Sequence, residues 1–452
     1  MGFFVAAHTL GCKVNQCDTE NLLERLANIG CGIRSFKEKA DLYIINTCTV
    51  THTGDKKSRQ MIRRVGKHAP GALVAVCGCM TKSDPTIAQA LGVDYVFDAR
   101  APEDFLEEIA RLTQEFTKIP QQPNVEPGSD LAEPSTHANQ SISATEAIEG
   151  QHNPYNTEIR TRTRAFIKIQ DGCDRFCSYC IVPHVRGTPV SRPLADIIAE
   201  AQALIANGVQ EIVITGIQVA SYGEDLGNTN LAKLVRQLIS LKNLKSLRLS
   251  SFNPCAVTDE FLQIIASSDI LCSHFHLSLQ SGCDATLARM NRRYTTKEYA
   301  TAVDALRNIR PNAAFTTDVM VGFPGETDAE FAQTLEFVQK IGFMRIHVFE
   351  FSRRKGTPAA TFPGQIPDKV KTERSQKIRD AAAQLQLEFY KAQVGKILPV
   401  LFEKEKPAGT WHGHTSTYCP VEVISKTNLA NTIRNVEITA ASYDGIQGRI
   451  GV

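Results

Sequence analysis

Over the first 118 residues, short apolar runs rich in β-formers alternate with stretches of helical periodicity. Strands are predicted near Phe4 to His8, Leu42 to Asn46, Leu73 to Val76 and Tyr95 to Phe97, and helices near Thr19 to Ile29, Asp55 to Lys67, Pro85 to Leu91 and Pro102 to Thr117. That alternation implies an α/β, Rossmann-like domain with a parallel sheet and helical crossovers, residues 1–118. The rhythm returns after residue 158. Strands are predicted near Phe166 to Gln170, Ile212 to Thr215, Ser246 to Ser250, His274 to Leu279, Ala314 to Met320 and Arg345 to Phe351, each followed by a helical stretch. Six such units across 159–390 predict a partial (β/α)6 version of the eight-unit barrel. The last helix is expected to end near Tyr390 to Lys391. Beyond it, short strands between Gly and Pro turns (Ile397 to Phe402, Tyr418 to Ile424, Thr432 to Ile438, Gly448 to Val452) predict a small all-β barrel over 391–452.

Composition changes the picture in one place. Residues 119–158 hold six acids, five prolines and no Lys or Arg, with Tyr155 the single aromatic. Such a segment buries too little apolar surface to offset its ordering entropy, and it is read as a flexible acidic linker. The net charge of the whole chain is +2, and the six acids of this segment leave the remainder at +8. That modest excess is compatible with a polyanionic partner without identifying one.

No apolar run approaches the 18 or so residues of a membrane span, and the N-terminus lacks the basic region of a signal peptide, so no membrane association is expected and the chain is placed in the cytoplasm. Thirteen cysteines in such a chain point to metal ligands or catalytic thiols rather than disulfides.

The strongest motif is Cys173-Asp174-Arg175-Phe176-Cys177-Ser178-Tyr179-Cys180, a C-x3-C-x2-C run directly after the first barrel strand. Three thiolates on one short loop hold three corners of a [4Fe-4S] cluster and leave the fourth iron open. The competing zinc site ordinarily wants four protein ligands and paired C-x2-C knuckles, and neither is present. The spacing, Tyr179 and the barrel context resemble the radical S-adenosylmethionine (SAM) superfamily.

A second set follows the first three strands: Cys12 in Thr9-Leu10-Gly11-Cys12-Lys13-Val14-Asn15-Gln16, Cys48 in Asn46-Thr47-Cys48-Thr49, and Cys79 in Val76-Cys77-Gly78-Cys79-Met80. Singly, each is more often a buried apolar cysteine. Together they resemble the N-terminal cluster domain of the methylthiotransferases, a radical SAM family. The family's third ligand follows a glycine, which matches Gly78-Cys79; Cys77 is then an extra thiol, and the C-x-C pair permits a ligand swap. Cys17, Cys31, Cys255, Cys272, Cys283 and Cys419 fit no ligand spacing and are read as structural. The resemblance extends to Thr215-Gly216-Ile217-Gln218, Arg248-Leu249-Ser250-Ser251, Ser278-Leu279-Gln280-Ser281-Gly282, Met290 to Thr295, Gly322 to Thr327 and Ser352 to Thr357, and the tail from Lys391 looks like an RNA-binding TRAM domain.

The resemblance implies two [4Fe-4S] clusters and SAM, with Cys173, Cys177 and Cys180 on one cluster and Cys12, Cys48 and Cys79 on the other. Tyr179, Gly216, Ser251, Ser278 and Gln280 are candidate SAM contacts; a polar residue at a strand end is equally a helix cap. The run after Cys12 resembles the branch acting on N6-threonylcarbamoyladenosine beside the tRNA anticodon, where the family replaces an aromatic C2–H by C2–SCH3. Such a bond is neither acidic nor electrophilic, so radical chemistry is needed and no side chain is expected to act as acid or base. The implied partners are tRNA and an electron donor such as flavodoxin or ferredoxin. Basic clusters at Lys56, Lys57, Arg59, Arg63, Arg64 and Lys67, at Arg160, Arg162 and Arg164, and at Arg289, Arg292 and Arg293 are, taken singly, solvated faces; beside an RNA-binding tail they become phosphate contacts. Arg293 and Arg353 are the candidates to read the N6 substituent, and the tail aromatics Phe402, Trp411 and Tyr418 are either core or stacking surfaces. The rival expectations are isopentenyladenosine in tRNA or a ribosomal-protein aspartate as substrate, a radical SAM enzyme using its second cluster only for electron transfer, and a zinc-stabilised RNA-binding protein.

Overall fold

The computed structural model describes residues 2–50, 52–84, 86, 90–118 and 163–451. The acidic segment 119–158, Arg160, Arg162 and most of the helix expected over Pro85 to Leu91 lie outside the described residues.

Strands β1 (Phe4–Thr9), β2 (Gly32–Arg34), β3 (Leu42–Thr47), β4 (Leu73–Gly78) and β5 (Tyr95–Val96) form one parallel sheet in the order β2-β1-β3-β4-β5. The near-continuous apolar run of β3 is buried along its whole length because helices cover both faces. Helices α1 (Lys13–Asn28) and α4 (Glu103–Lys118) close one face through Leu22, Leu26, Phe105, Leu106 and Ile109. On the other, α2 (His52–His68) packs Ile62 and Val65 on Ala6, Tyr43 and Ile45, while the short α3 (Cys79–Ser83) starts where β4 ends. The order is flavodoxin-like, and its ligand position lies between the carboxyl ends of β1 and β3. The three-residue edge strand β2 is absent from the sequence prediction because Gly-Ile-Arg is too short to show a period.

The second unit comprises β6 (Arg164–Asp171), β7 (Val190–Ser191), β8 (Glu211–Gly216), β9 (Ser246–Leu249), β10 (His274–His276), β11 (Ala314–Val321) and β12 (Arg345–Glu350). Sheets β7-β6-β8-β9 and β10-β11-β12 are stitched by single bridges Leu247↔Leu271 and Phe252↔Leu277, which makes six parallel strands in sequence order, with β7 as an antiparallel edge. This is the expected partial barrel. Its helices are α5 (Val182–Arg186), α6 (Leu194–Ala206), α7 (Leu231–Ile239), α8 (Asp259–Ala266), α9 (Asp284–Arg289), α10 (Thr296–Ile309), α11 (Asp328–Ile341) and α12 (Asp368–Lys391). Ala165, Ile167 and Ile169 of β6 pack in the core with residues of the outer helices. Arg164 and Lys168, on the opposite face by the two-residue period, meet Glu403 of the tail and Asp18 of α1. The inner face of the open barrel is therefore covered by the first domain and by the tail.

The tail closes as a five-stranded barrel, β13 (Ile397–Lys406), β14 (Thr410–Thr415), β15 (Pro420–Ile424), β16 (Ile433–Ser442) and β17 (Gly445–Ile450), in the order β13-β14-β15-β17-β16. Strand β14, Thr-Trp-His-Gly-His-Thr, escapes a hydropathy reading because its outward positions carry two histidines. Phe402 and Trp411 are core residues, which settles their ambiguity. The same core takes in Tyr390 at the end of α12 together with Ala314 and Met344 of the partial barrel, so no packing boundary falls at residue 391.

Candidate functional site

Cys12 is the N-cap residue of α1, directly after the loop leaving β1; Cys48 follows β3 and Cys79 opens α3 after β4. Two glycines allow these backbones to meet. Gly11 has φ +98°, and a Cβ there would lie 2.8 Å from Cys48 Cβ; Gly78 has φ +94°, and its Cβ would lie 2.4 Å from the Thr47 carbonyl oxygen. Any other residue would push the loops apart. Buried Asn15 then ties them: its Nδ2 donates to the carbonyls of Leu10 (2.9 Å) and Thr47 (3.0 Å). The thiols are close enough that charge on Cys12 or Cys79 opposes ionisation of Cys48. Cys77 turns the other way, into the apolar core with Phe3, Val5 and Phe105, while Cys79 packs on Ile181 and Val185 of α5. The geometry thus separates the two thiols of the C-x-C pair.

Cys173, Cys177 and Cys180 lie on the loop between β6 and α5. Its shape is fixed by backbone bonds from Cys173 N–H to the Gly187 carbonyl (2.9 Å) and Cys180 N–H to the Cys177 carbonyl (2.9 Å), and by Ser178, which bonds Met290, Arg289 and Ala359. Arg292 aims Nη1 at Cys177 Sγ (3.5 Å) and Nη2 at the Ser278 carbonyl (3.2 Å), and Tyr294 buttresses it. Half-buried Tyr179 stands edge-on to Phe323. Gly216, Ser251, Ser278 and Gln280 all fall at or just beyond the carboxyl ends of β8, β9 and β10, the rim that carries this loop. Gln280, at φ +70°, bridges to β11 through its own N–H and carbonyl, each 2.8 Å from its partner.

The two sets of thiols stand on either side of one short helix. Cys180 immediately precedes Ile181 and α5, and Cys79 rests on the side chains of α5. At the end of α5, buried Arg186 donates to both Asp171 oxygens (2.8 Å each), to Asn15 Oδ1 (2.6 Å) and to Asp18 (3.3 Å), and lies beside Cys79. Although burial opposes its charge, the carboxylates of Asp171 and Asp18 hold the guanidinium firmly ionised. From the barrel's far side, Arg354 reaches Asp55 of α2 (3.7 Å) and lies near Cys48.

These surroundings fit iron–sulfur clusters. Burial pushes the thiols of Cys48, Cys79 and Cys173 up and that of Cys180 to about 12, so a metal centre is what lets them ionise. Guanidinium groups that match an anionic thiolate cluster stand at both sets, and Arg354 Nε and Nη2 and Arg186 Nε are buried without a hydrogen-bond partner among the described residues. Among the described residues no three His, Cys, Asp or Glu side chains converge as on a single ion. A cubane spreads its thiolates over different irons, so its ligands need no such convergence.

Of the other cysteines, Cys17, Cys31, Cys272, Cys283 and Cys419 are buried, as a structural reading requires. Cys255 departs from it: exposed, it lines a cavity of about 100 Å³ with Cys177, Arg175, Arg292 and Arg293. Arg353 bonds Gln365 instead of facing the thiols, and it is the next residue, Arg354, that does. Glu326 and Thr327 serve the fold, through a buried pair with Arg374 (2.6 Å) and a capping box on α11. Sequence reasoning missed Asn15, Asp18, Asp171, Arg186 and Arg354 as site neighbours. Long-range ion pairs leave no local periodicity; the one available signal was the closeness of Arg186 to Cys180 in the chain.

Residues 167–338 match the model of the radical SAM superfamily, and residues 4–98 match a family described as uncharacterized protein family UPF0004. Among solved structures, the radical SAM methyltransferase TsrM from Kitasatospora setae, with cobalamin and a [4Fe-4S] cluster bound, superposes with a TM-score of 0.55 at 17% identity, covering 80% of this chain and 74% of that one; the two share a fold. The chain is thus a radical SAM protein, a class that carries SAM and a [4Fe-4S] cluster. Threonylcarbamoyladenosine tRNA methylthiotransferase MtaB of Bacillus subtilis is 37% identical over 98% of this chain and 96% of its own length, and that of Thermotoga maritima is 34% identical with the same coverage. The tRNA-2-methylthio-N(6)-dimethylallyladenosine synthase of Maricaulis maris is 30% identical, again over 98% and 96%. The chain belongs to the radical SAM methylthiotransferase family.

Proposed function

We propose that this protein replaces the C2 hydrogen of N6-threonylcarbamoyladenosine in tRNA by a methylthio group, with Cys173, Cys177 and Cys180 holding the SAM-cleaving [4Fe-4S] cluster and Cys12, Cys48 and Cys79 a second. The observation that carries this reading is the placement of the two cysteine triplets on either side of α5, each at the carboxyl ends of a parallel sheet. When bound, the clusters and SAM supply the radical that removes an unactivated aromatic hydrogen, and the sulfur that replaces it. The chain's own residues position and shield. Arg292 orients the Cys177 corner, Arg186 and Arg354 would offset the negative charge of the thiolates, and Tyr179, Gly216, Ser251, Ser278 and Gln280 line the rim that would receive SAM. An electron donor such as flavodoxin or ferredoxin is required, and the substrate places the enzyme in the cytoplasm. Threonylcarbamoyladenosine is favoured over isopentenyladenosine because relatives named for the former are 33–37% identical and those named for the latter 30–33%.

The test offers the reconstituted enzyme tRNA carrying threonylcarbamoyladenosine, tRNA carrying isopentenyladenosine and unmodified tRNA in parallel, with nucleosides read by mass spectrometry. A methylthio product on the first alone is expected. Preference for isopentenyladenosine would overturn the substrate while sparing the reaction, and activity only on a ribosomal protein would overturn both tRNA readings.

A further inference from the structure

In a doubly wound sheet of order 2-1-3-4-5 a helix normally covers the sheet on the return from β2 to β3. Here residues 35–41 make that connection without one. The face of β1 and β3 beside α2 is left with a cavity of about 290 Å³, lined by His8, Phe36, Tyr43, Met61, Arg64 and Val65. Its rings are already arranged: Phe36 stands edge-on to Tyr43 (centroids 5.4 Å, 86°) and 5.1 Å from the imidazole of His8. Burial, with Arg64 nearby, lowers the His8 pKa and keeps that ring neutral at pH 7. Lys37 and His68, both exposed, complete the rim.

The cavity opens beside a cationic stripe. Lys56, Arg59, Arg63, Arg64 and Lys67 recur at helical spacing on one side of α2. Arg59 pairs with Asp55 (3.6 Å), while among the described residues no ion pair engages Lys56, Arg63, Arg64 or Lys67. The stripe faces away from the thiol site: Ser58, fully buried on the other side of α2, is the residue whose hydroxyl bonds both the N–H and the carbonyl of Cys48 (3.2 Å each). From Ser58 to His68 the helix rises about 15 Å, a span of a few nucleotides.

An aromatic slot flanked by cations that no ion pair engages among the described residues is the chemistry that receives a nucleotide: ring faces stack on a base, and guanidinium and ammonium groups take its phosphates. We propose that this cavity and the α2 stripe are a seat for the RNA substrate, one unstacked loop base entering beside Phe36 and the adjoining phosphates lying on Arg64, Lys67 and Arg63. The assignment rests on the tRNA reading above and adds to it a contact surface on the first domain, apart from both cysteine sets and from the tail.

The test uses the full-length protein and a synthetic anticodon stem-loop, with a blunt duplex of the same stem as second probe. Combining Arg63→Glu, Arg64→Glu and Lys67→Glu should weaken stem-loop binding at least tenfold and reduce the slope of log affinity against log salt by about three, with melting temperature and iron content unchanged. Phe36→Ala should weaken the stem-loop roughly tenfold and leave the duplex unaffected, and Phe36→Trp should restore binding. Unaltered affinity and slope in the triple variant, or equal losses on both probes for Phe36→Ala, would overturn the seat while leaving the enzyme reading intact. Binding of neither probe by the unmodified protein, under conditions where it cleaves SAM, would overturn the seat and the tRNA reading together.

Discussion

The Arg186 guanidinium donates to Asn15 Oδ1 at 2.6 Å, joining across the junction of two domains a pair of residues 171 positions apart in the chain. Through this one contact the loops of Cys12 and Cys48, both held by Asn15, are indexed to the helix that follows Cys180. Removing Arg186 leaves Asp18 and Asp171 buried, with Lys168 as their remaining cation. We expect Arg186→Ala to cost about 3–5 kcal/mol, read from denaturant midpoints, and Arg186→Lys to recover part of it, since one ammonium replaces the forked contacts. A change below about 0.5 kcal/mol would mean the junction is held elsewhere.

Iron stoichiometry divides the sites. Anaerobically reconstituted protein should hold about eight irons, and replacing Cys173, Cys177 and Cys180 by Ala should leave about four. Full iron in that variant, or zinc in both sites, would contradict two cubanes.

Division of labour gives a separate assay. Cys12→Ala should abolish methylthiolation and retain reductive SAM cleavage, because the C-x3-C-x2-C loop is untouched; Cys177→Ala should abolish both. Parallel loss of SAM cleavage in two folded variants would argue against distinct roles.

Acid should loosen the floor of the partial barrel. Burial alone would raise the pKa of Glu211, but Arg248 beside it, at 3.0 Å, outweighs that and lowers it to about 2. A carboxylate depressed below its unfolded value stabilises the fold above about pH 4.5 and loses that contribution as pH falls from there towards 2. Arg248 also donates to the carbonyls of Thr415 and Ser416, so the tail shares the effect. In Glu211→Gln the slope of unfolding free energy against pH between 4.5 and 2 should be shallower than in the unmodified protein.

Much of this architecture is legible in the chain. The six barrel strands and the strands preceding Cys12, Cys48 and Cys79 announce themselves through apolar runs between turn residues, and their carboxyl ends are where parallel sheets keep ligands. Short β2, the β7 ribbon and histidine-bearing β14 are too brief or too polar for that signal. What pairs across domains is silent in sequence: Asp18 and Arg186 belong to patterns that are each complete locally, and only the docking of α1 on the inner face of β6 brings them together. Tyr418 illustrates the same limit. A tail aromatic by sequence, it takes the guanidinium groups of Arg164 and Arg248 of the partial barrel against its ring (5.1 and 4.8 Å to the centroid), a docking contact no periodicity encodes.

The shared core beneath the tail has an evolutionary consequence. Because Tyr390, Ala314 and Met344 complete the interior of the five-stranded barrel, that barrel is not a cassette exchangeable at its apparent seam. A graft beginning at residue 391 would inherit a hole where Tyr390 should stand, while the recipient would expose three apolar surfaces. Exchange between relatives is workable only when the last turn of α12, the opening residues of β11 and Met344 before β12 travel with the tail.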